Sequence, residues 1–395
     1  MKITVRSGDS LWYYSQLFGV SLQLILDSNR NVNPNTLTPG TDVNIPGFFA
    51  SGYTIKSGDS FWKLASERNI SVDAISILNP SVNPSRLQVG QVIQLPERVV
   101  SRIIDGRVNY DSSRFQEDLA AIQEIYPFIR VEQIGRSVLG KPLTEIRIGR
   151  GQRKIHYNAS FHANEWITTP VLMTFINDYL LALTNYGSIR GVYALPLYDI
   201  NTLSTVPLVN PDGVDLVLNG PPASVRGEVI EINNGSTNFN NWKANIRGVD
   251  LNNQYPANWE IEQARKEQAP APANFPGEAP LTEPEAIAIA ELTGNRQFDQ
   301  TYALHTQGEV FFWGYEGLEP PLSAELAQYY ERLSGYRSVQ YVDSHAGYKD
   351  WFISVYRRPG FTFELGRGVN PLPISQFDTI YQDMLGVFVG SLYRR

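Results

Sequence analysis

The chain contains no cysteine. Disulfides, thiolate metal sites and a cysteine nucleophile are therefore excluded, while the redox compartment stays open. Apolar runs of membrane-spanning length are also missing. The nearest, from Val171 to Leu183, is interrupted by Asn177 and Asp178. No Lys/Arg cluster stands out, and the net charge is −7. Nucleic acid and membrane are accordingly poor partners. The first residues, MKITVRSGDSLW, hold no apolar core of signal-peptide length. The expectation is cytoplasmic synthesis, with any contact with a cell wall needing lysis, an unusual export route or a spore-type compartment. Histidine is scarce too, with only four in 395 residues, which narrows any search for a metal site.

What is present first is a repeat. Residues 3–46 and 53–96 align without gaps at an offset of 50. Ser7, Gly8, Asp9 and Ser10 match Ser57, Gly58, Asp59 and Ser60. Trp12 matches Trp62, Asn29 matches Asn79, and Val32, Asn33 and Pro34 match Val82, Asn83 and Pro84. Each copy reads as a short strand, a Gly-Asp-Ser turn, two helices and a closing strand. Ser10 and Ser60 are natural N-caps. Val43 and Ile45, then Ile93 and Leu95, alternate inward.

These residues resemble the LysM family of glycan-binding modules, which recognise N-acetylglucosamine polymers such as peptidoglycan. The resemblance implies a sugar groove at Gly8, Asp9, Ser10 and Asn33, and at Gly58, Asp59, Ser60 and Asn83. A competing reading gives these residues to helix capping alone. Two tandem copies favour avidity on a repeating polymer. The expected division is modules at 1–47 and 51–97, a polar linker at 98–108 and a catalytic domain at 109–395.

From Tyr110 strands and helices alternate, which indicates an α/β domain with a mixed central β-sheet flanked by helices. Helices are expected over 113–126, 169–183 and 375–392, and strands over 131–134, 143–148, 155–161, 199–208, 300–304 and 361–365. Thr282 and Glu285 have capping-box spacing, with Pro284 in the first turn. The Pro/Ala-rich stretch 257–281 is long for a connection and suggests a lid.

His162 and Glu165 stand three apart where a strand ends, so both can converge on one cation. Zinc accepts imidazole nitrogen and carboxylate oxygen and leaves one place open. His305 ends another strand, where open α/β sheets put their sites. A lone H-x-x-E is weak evidence. His156, inside an apolar strand, reads as a core residue, and His345 lies in a loop that borders the cleft in one reading.

The ordered words HANEWIT, VNPDGVDL, NWKANIRGVDLNNQYP, LHTQ, KDW and FTFELG resemble the zinc carboxypeptidase family over residues 109–395. The resemblance implies one Zn2+ held by His162, Glu165 and His305. It implies Glu364 as general base, Asp250 as the carboxylate orienting a ligand imidazole, and Lys243 in place of the oxyanion-stabilising arginine. The family's exopeptidases carry an arginine that clamps the substrate's terminal carboxylate. Here Asn252 is kept and Asn253 replaces that arginine. The family's cleft tyrosine falls at Val342, with Tyr341 and Tyr348 nearby. Lys349, just before Asp350 and Trp351, is read either as a partner for a substrate carboxylate or as a solvated loop lysine.

Without the clamp, and with glycan-binding modules, the pattern resembles bacterial γ-D-glutamyl-L-diamino acid endopeptidases. These cut peptidoglycan stem peptides between D-Glu and diaminopimelate or Lys. The alternatives are a metallocarboxypeptidase trimming peptides and a non-catalytic cell-wall or spore-coat binding protein.

Overall fold

The computed structural model describes residues 1–394. In the first module, strand Lys2–Thr4 pairs with Asp42–Asn44, and helices Leu11–Phe18 and Leu22–Ser28 lie between them. The second module repeats this with helices Phe61–Glu67 and Val72–Leu78 between strands Phe48–Thr54 and Val92–Arg98. Ser10 and Ser60 accept the backbone N–H of Tyr13 and Lys63, as their N-cap positions require. Gly8 and Gly58 have φ of 87° and 82°, a left-handed turn that glycine enters without cost. The repeated Asn29 and Asn79 also have a clear task. Each is buried and donates to the second helix and to the closing strand, at Asn44 and Gln94, sewing the two together.

The modules are docked. Arg6 of the first forms an ion pair with Asp73 of the second at 2.6 Å. Gly47 donates its N–H to Ile125 O, Arg30 donates to Phe128 O, and the Tyr198 hydroxyl donates to Asp27. Phe18 and Phe48 join one continuous apolar core with Tyr126, Phe128 and Tyr198 of the larger domain. Residues 98–108, the expected polar linker, pack down as well. Arg98 donates to Thr184 O and to Phe18 O. Arg102 grips Asp178, and the Asn177 side chain accepts from the N–H groups of Ile103 and Ile104.

The larger domain is built on an eight-stranded mixed sheet. Its order is Arg337–Val339, Val310–Phe312, Gly360–Glu364, Gln300–His305, Arg153–Ala159, Asn201–Val206, Pro142–Gly149, Arg130–Arg136. The four central strands, from Gly360–Glu364 to Asn201–Val206, run parallel. Along Gln300–His305, successive side chains alternate between two cores. Tyr302 stacks between its register neighbours Tyr157 and Phe361, beneath helices Thr168–Thr184, Pro321–Ser334 and Phe377–Tyr393. Ala303 faces the second core, with residues of helices Pro284–Arg296 and Tyr348–Tyr356.

Three local expectations are corrected. The expected strand 199–208 is shorter, Asn201–Val206, because Ala194–Ile200 forms a helix leading into it. The capping box does not form. Glu283 occupies the N-cap, the Thr282 hydroxyl bonds Gln254, and Glu285 turns inward to accept from Val138 N and Asn245 Nδ2. Finally, 257–281 is a packed wall and not a hinged lid. It contains helix Trp259–Arg265 and is pinned by bonds from Ala271 N to Gly248 O, Lys243 N to Pro272 O and Asp250 N to Phe275 O. At Gly248 (φ 76°) a Cβ would lie 2.9 Å from Ala271 N, so only glycine permits that approach.

Candidate metal centre and active site

The parallel strands deliver the site residues at their carboxyl ends. Strand Arg153–Ala159 runs into Ser160, held at φ 51°, and then into the short turn Ala163–Glu165 that carries His162 and Glu165. Thr168 and Thr169 fix this sharp corner by bonding the Ser160 hydroxyl at 3.0 and 2.7 Å. Strand Gln300–His305 ends on His305, and Gly360–Glu364 on Glu364.

One donor atom from each of His162, Glu165 and His305 lies within 4.8 Å of the others, and all three residues are buried. His162 Nδ1 is 2.9 Å from Glu165 Oε1, His305 Nδ1 is 3.0 Å from Glu165 Oε2, and the two Nδ1 atoms are 3.2 Å apart. His162 Nε2 lies 3.1 Å from Asp250 Oδ1. A neutral His162 that donates its Nε2–H to Asp250 turns the Nδ1 lone pair toward the other donors. Lone pairs and carboxylate oxygens converging on one buried point suit a cation, and two imidazoles with one carboxylate are a zinc donor set.

The facing carboxylates set the charges of the cluster. Burial alone would lower His162, but Glu165 and Asp250 raise it to about 9. Burial lowers His305. Glu165 and Asp250 are held below the usual carboxylate range, because the facing imidazoles outweigh the burial that would raise them. Burial, reinforced by the Glu165 carboxylate, pushes Glu364 up to about 8.

Lys243 Nζ lies 3.9 Å from Glu165 Oε1. Burial would lower its ammonium, yet Glu165, Asp250 and Glu364 together raise it. The backbone places it there, since Ala163 N donates to Lys243 O, and Asn210 bridges Phe161 O and Ala244 O. Sequence reasoning missed two supports. Thr306 N donates to Glu165 Oε2 at 3.2 Å, and the Thr306 hydroxyl donates to Asn370. Nothing in the pattern around Asn370 signals that contact.

The remaining expected residues are more occupied than free. Asn252 Oδ1 accepts Tyr348 N, and Asn253 Oδ1 accepts the ammonium of Lys266 at 2.8 Å. Lys349 is buried, donates to Gly314 O and pairs with Asp350, so the solvated-lysine reading is wrong. Tyr348 is buried with its hydroxyl on Thr293, and Tyr341 bonds Glu319, so neither replaces the cleft phenol missing at Val342. His156 is fully buried in the sheet, as expected for a core residue. His345 sits in its loop with Nδ1 3.0 Å from the Tyr315 hydroxyl.

The zinc carboxypeptidase family model matches residues 115–386. The chain belongs to the zinc carboxypeptidase family. It is a metallopeptidase whose zinc ligands are His162, Glu165 and His305. The LysM domain model matches residues 3–46 and 53–96, so two LysM modules precede the peptidase part. A γ-D-glutamyl-L-diamino acid endopeptidase 1 of Lysinibacillus sphaericus is 60% identical over 395 residues, covering 100% of both chains. Bovine thrombin-activatable fibrinolysis inhibitor shares the fold with a TM-score of 0.57 at 18% identity, covering 73% of this chain and 97% of its own. Carboxypeptidase A of Helicoverpa armigera does so at 0.56 and 15% identity, covering 84% and 80%. No helix among the described residues is long and apolar enough to cross a membrane.

Proposed function

We propose that this peptidase hydrolyses the amide between the γ-carbonyl of D-glutamate and the α-amine of a diamino acid, diaminopimelate or lysine, in peptidoglycan stem peptides. The LysM pair holds the glycan strands meanwhile, and the place of action is cell-wall or spore-associated peptidoglycan. The observation that carries this reading is the end-to-end likeness to the Lysinibacillus enzyme, modules included. The cleft agrees with it. Where the exopeptidase pattern puts a carboxylate-clamping arginine, this chain has Asn253, engaged by Lys266.

Zinc, when bound by His162, Glu165 and His305, supplies Lewis acidity for water activation and carbonyl polarisation. Glu364 takes a proton from the attacking water as oxygen adds to the γ-carbonyl carbon. It hands that proton to the departing amine as the C–N bond breaks. The Lys243 ammonium stabilises the negative charge that builds on the carbonyl oxygen. Asp250 keeps His162 in the tautomer that presents Nδ1.

A defined tetrapeptide stem tests the reading by product analysis. Release of a diaminopimelyl-D-alanine dipeptide is expected. Release of free D-alanine alone would replace this function with carboxypeptidase trimming. A chain that holds zinc and binds wall but cuts neither bond would be a binding protein.

A further inference from the structure

Trp12 and Trp62 are 61% and 73% exposed, whereas the other five tryptophans are buried or half-buried. The two occupy the same repeat position, second in the first helix of each module and two residues beyond the capping serine. The residue between cap and tryptophan points the other way: Leu11 and Phe61 are each buried in their module core. Each helix thus starts by driving one apolar side chain inward and holding an indole out in water. An exposed indole adds almost nothing to its module's stability and invites association. Two of them at matching positions mark a surface built for contact.

The neighbouring turns indicate what kind of contact. Their polar side chains are already committed to holding the turns. Asp9 is bonded by Arg6 and the Tyr14 hydroxyl, and Asp59 by Lys56 N, the Tyr53 hydroxyl and Lys63. Asn33 and Asn83 close onto the N–H groups of Asn35 and Ser85. Side-chain recognition at the Gly-Asp-Ser turns therefore falls to the indoles beside them. A flat apolar face fits the C–H face of a pyranose ring, and the N-acetyl methyl adds further apolar contact.

We infer that Trp12 and Trp62 are stacking platforms, one in each module, for N-acetylhexosamine rings of the glycan, an assignment that rests on the modules' glycan-binding role. Arg6 and the Tyr13 hydroxyl both bond Asp73 across the module boundary, so the modules that carry the two platforms are tied together and can engage one polymer jointly.

Titration of the full chain with a soluble N-acetylglucosamine hexamer, followed by calorimetry and tryptophan emission, tests this. Trp12→Ala and Trp62→Ala should each weaken binding about tenfold, as truncation of an aromatic anchor does. The double variant should lose the emission change, and Trp→Phe should recover part of the affinity. Melting should not move, because both rings are exposed. Alanine variants that bind the hexamer as tightly as the wild type would overturn the assignment. So would a concentration-dependent dimer of the wild type that the variants abolish while keeping glycan affinity, since the indoles would then serve a second copy. A wild-type chain that ignores the hexamer altogether would instead remove the glycan reading of the modules, and this assignment with it.

Discussion

His305 and Glu364 are register partners on adjacent parallel strands. Residues directly opposed in a strand pair point to the same face, so the sheet itself holds the third zinc ligand and the Glu364 carboxyl side by side. Loop motion cannot separate them without breaking the central ladder. Glu364→Gln leaves that ladder intact and keeps the side chain's size while removing its ability to carry a proton. Turnover should fall by about 10²–10⁴, with zinc content unchanged at about one per chain. Loss of zinc together with activity would place Glu364 among the ligands.

Asp250 acts through His162. Its Oδ1 accepts hydrogen bonds from the imidazole Nε2–H and from Asn252 N, while Oδ2 accepts from Asn274 N. Asp250→Asn preserves the shape but weakens the hold on the tautomer. Zinc affinity, measured by chelator competition, should drop about 10–100-fold. Unchanged affinity would mean that the imidazole is oriented by packing alone.

The catalytic words were readable because their side chains stand at strand ends with short, fixed spacing: His162 with Glu165, then His305, then Glu364. The joints between parts were not. Asp27, Arg30 and Arg98 look like surface charges in the sequence. They are polar because they meet Tyr198, the Phe128 carbonyl and the Thr184 carbonyl across an interface. Thr282 had the spacing of a cap, but Gln254 competes for its hydroxyl from 28 residues away. Lys349 looked solvated or substrate-bound, whereas the Gly314 carbonyl, 35 residues away, joins Asp350 in letting its charge be buried. Such outcomes depend on long-range partners that no local pattern contains.

The docked first module changes what truncation should do. A chain lacking residues 1–97 loses the bonds to Ile125 O and Phe128 O and uncovers apolar surface around Tyr126 and Phe128. Its catalytic domain should melt below the full chain. Tyr198→Phe probes the same joint more gently. It removes the hydroxyl that donates to Asp27 at 2.8 Å and should lower the midpoint by roughly 2–4 °C, as loss of a hydrogen bond to a charged group does. A module on a free tether would show no change in either experiment. On insoluble wall the truncated chain should also lose rate through lost avidity, by a factor of about 10²–10⁴ at most, while a small soluble muropeptide is cut at nearly the full rate.

His156 makes stability depend on pH independently of the zinc site. Ser204 Oγ lies 3.1 Å from His156 Nδ1 and donates its own proton to Glu145 at 2.7 Å, so Nδ1 must be the protonated nitrogen. Nε2 then has no partner among the described residues, and the ring stacks on Phe298 with centroids 4.4 Å apart. A second proton would sit uncompensated in this apolar packing, so burial pulls the pKa from 6.5 down to about 3. The folded value lies below the unfolded one, and the unfolded chain therefore binds more protons between them. The neutral ring's contribution is fully present above about pH 6.5 and is lost as pH falls toward 3. At 1.36 kcal/mol per unit, roughly 2 kcal/mol should be gone by pH 5. His156→Phe fills the same space without a titrating nitrogen. With saturating zinc, the wild type should lose about that amount of stability relative to the variant from pH 8 to pH 5, because His162 and His305 titrate alike in both and cancel. Parallel stability curves for the two proteins over that range would show that His156 does not carry the acid sensitivity.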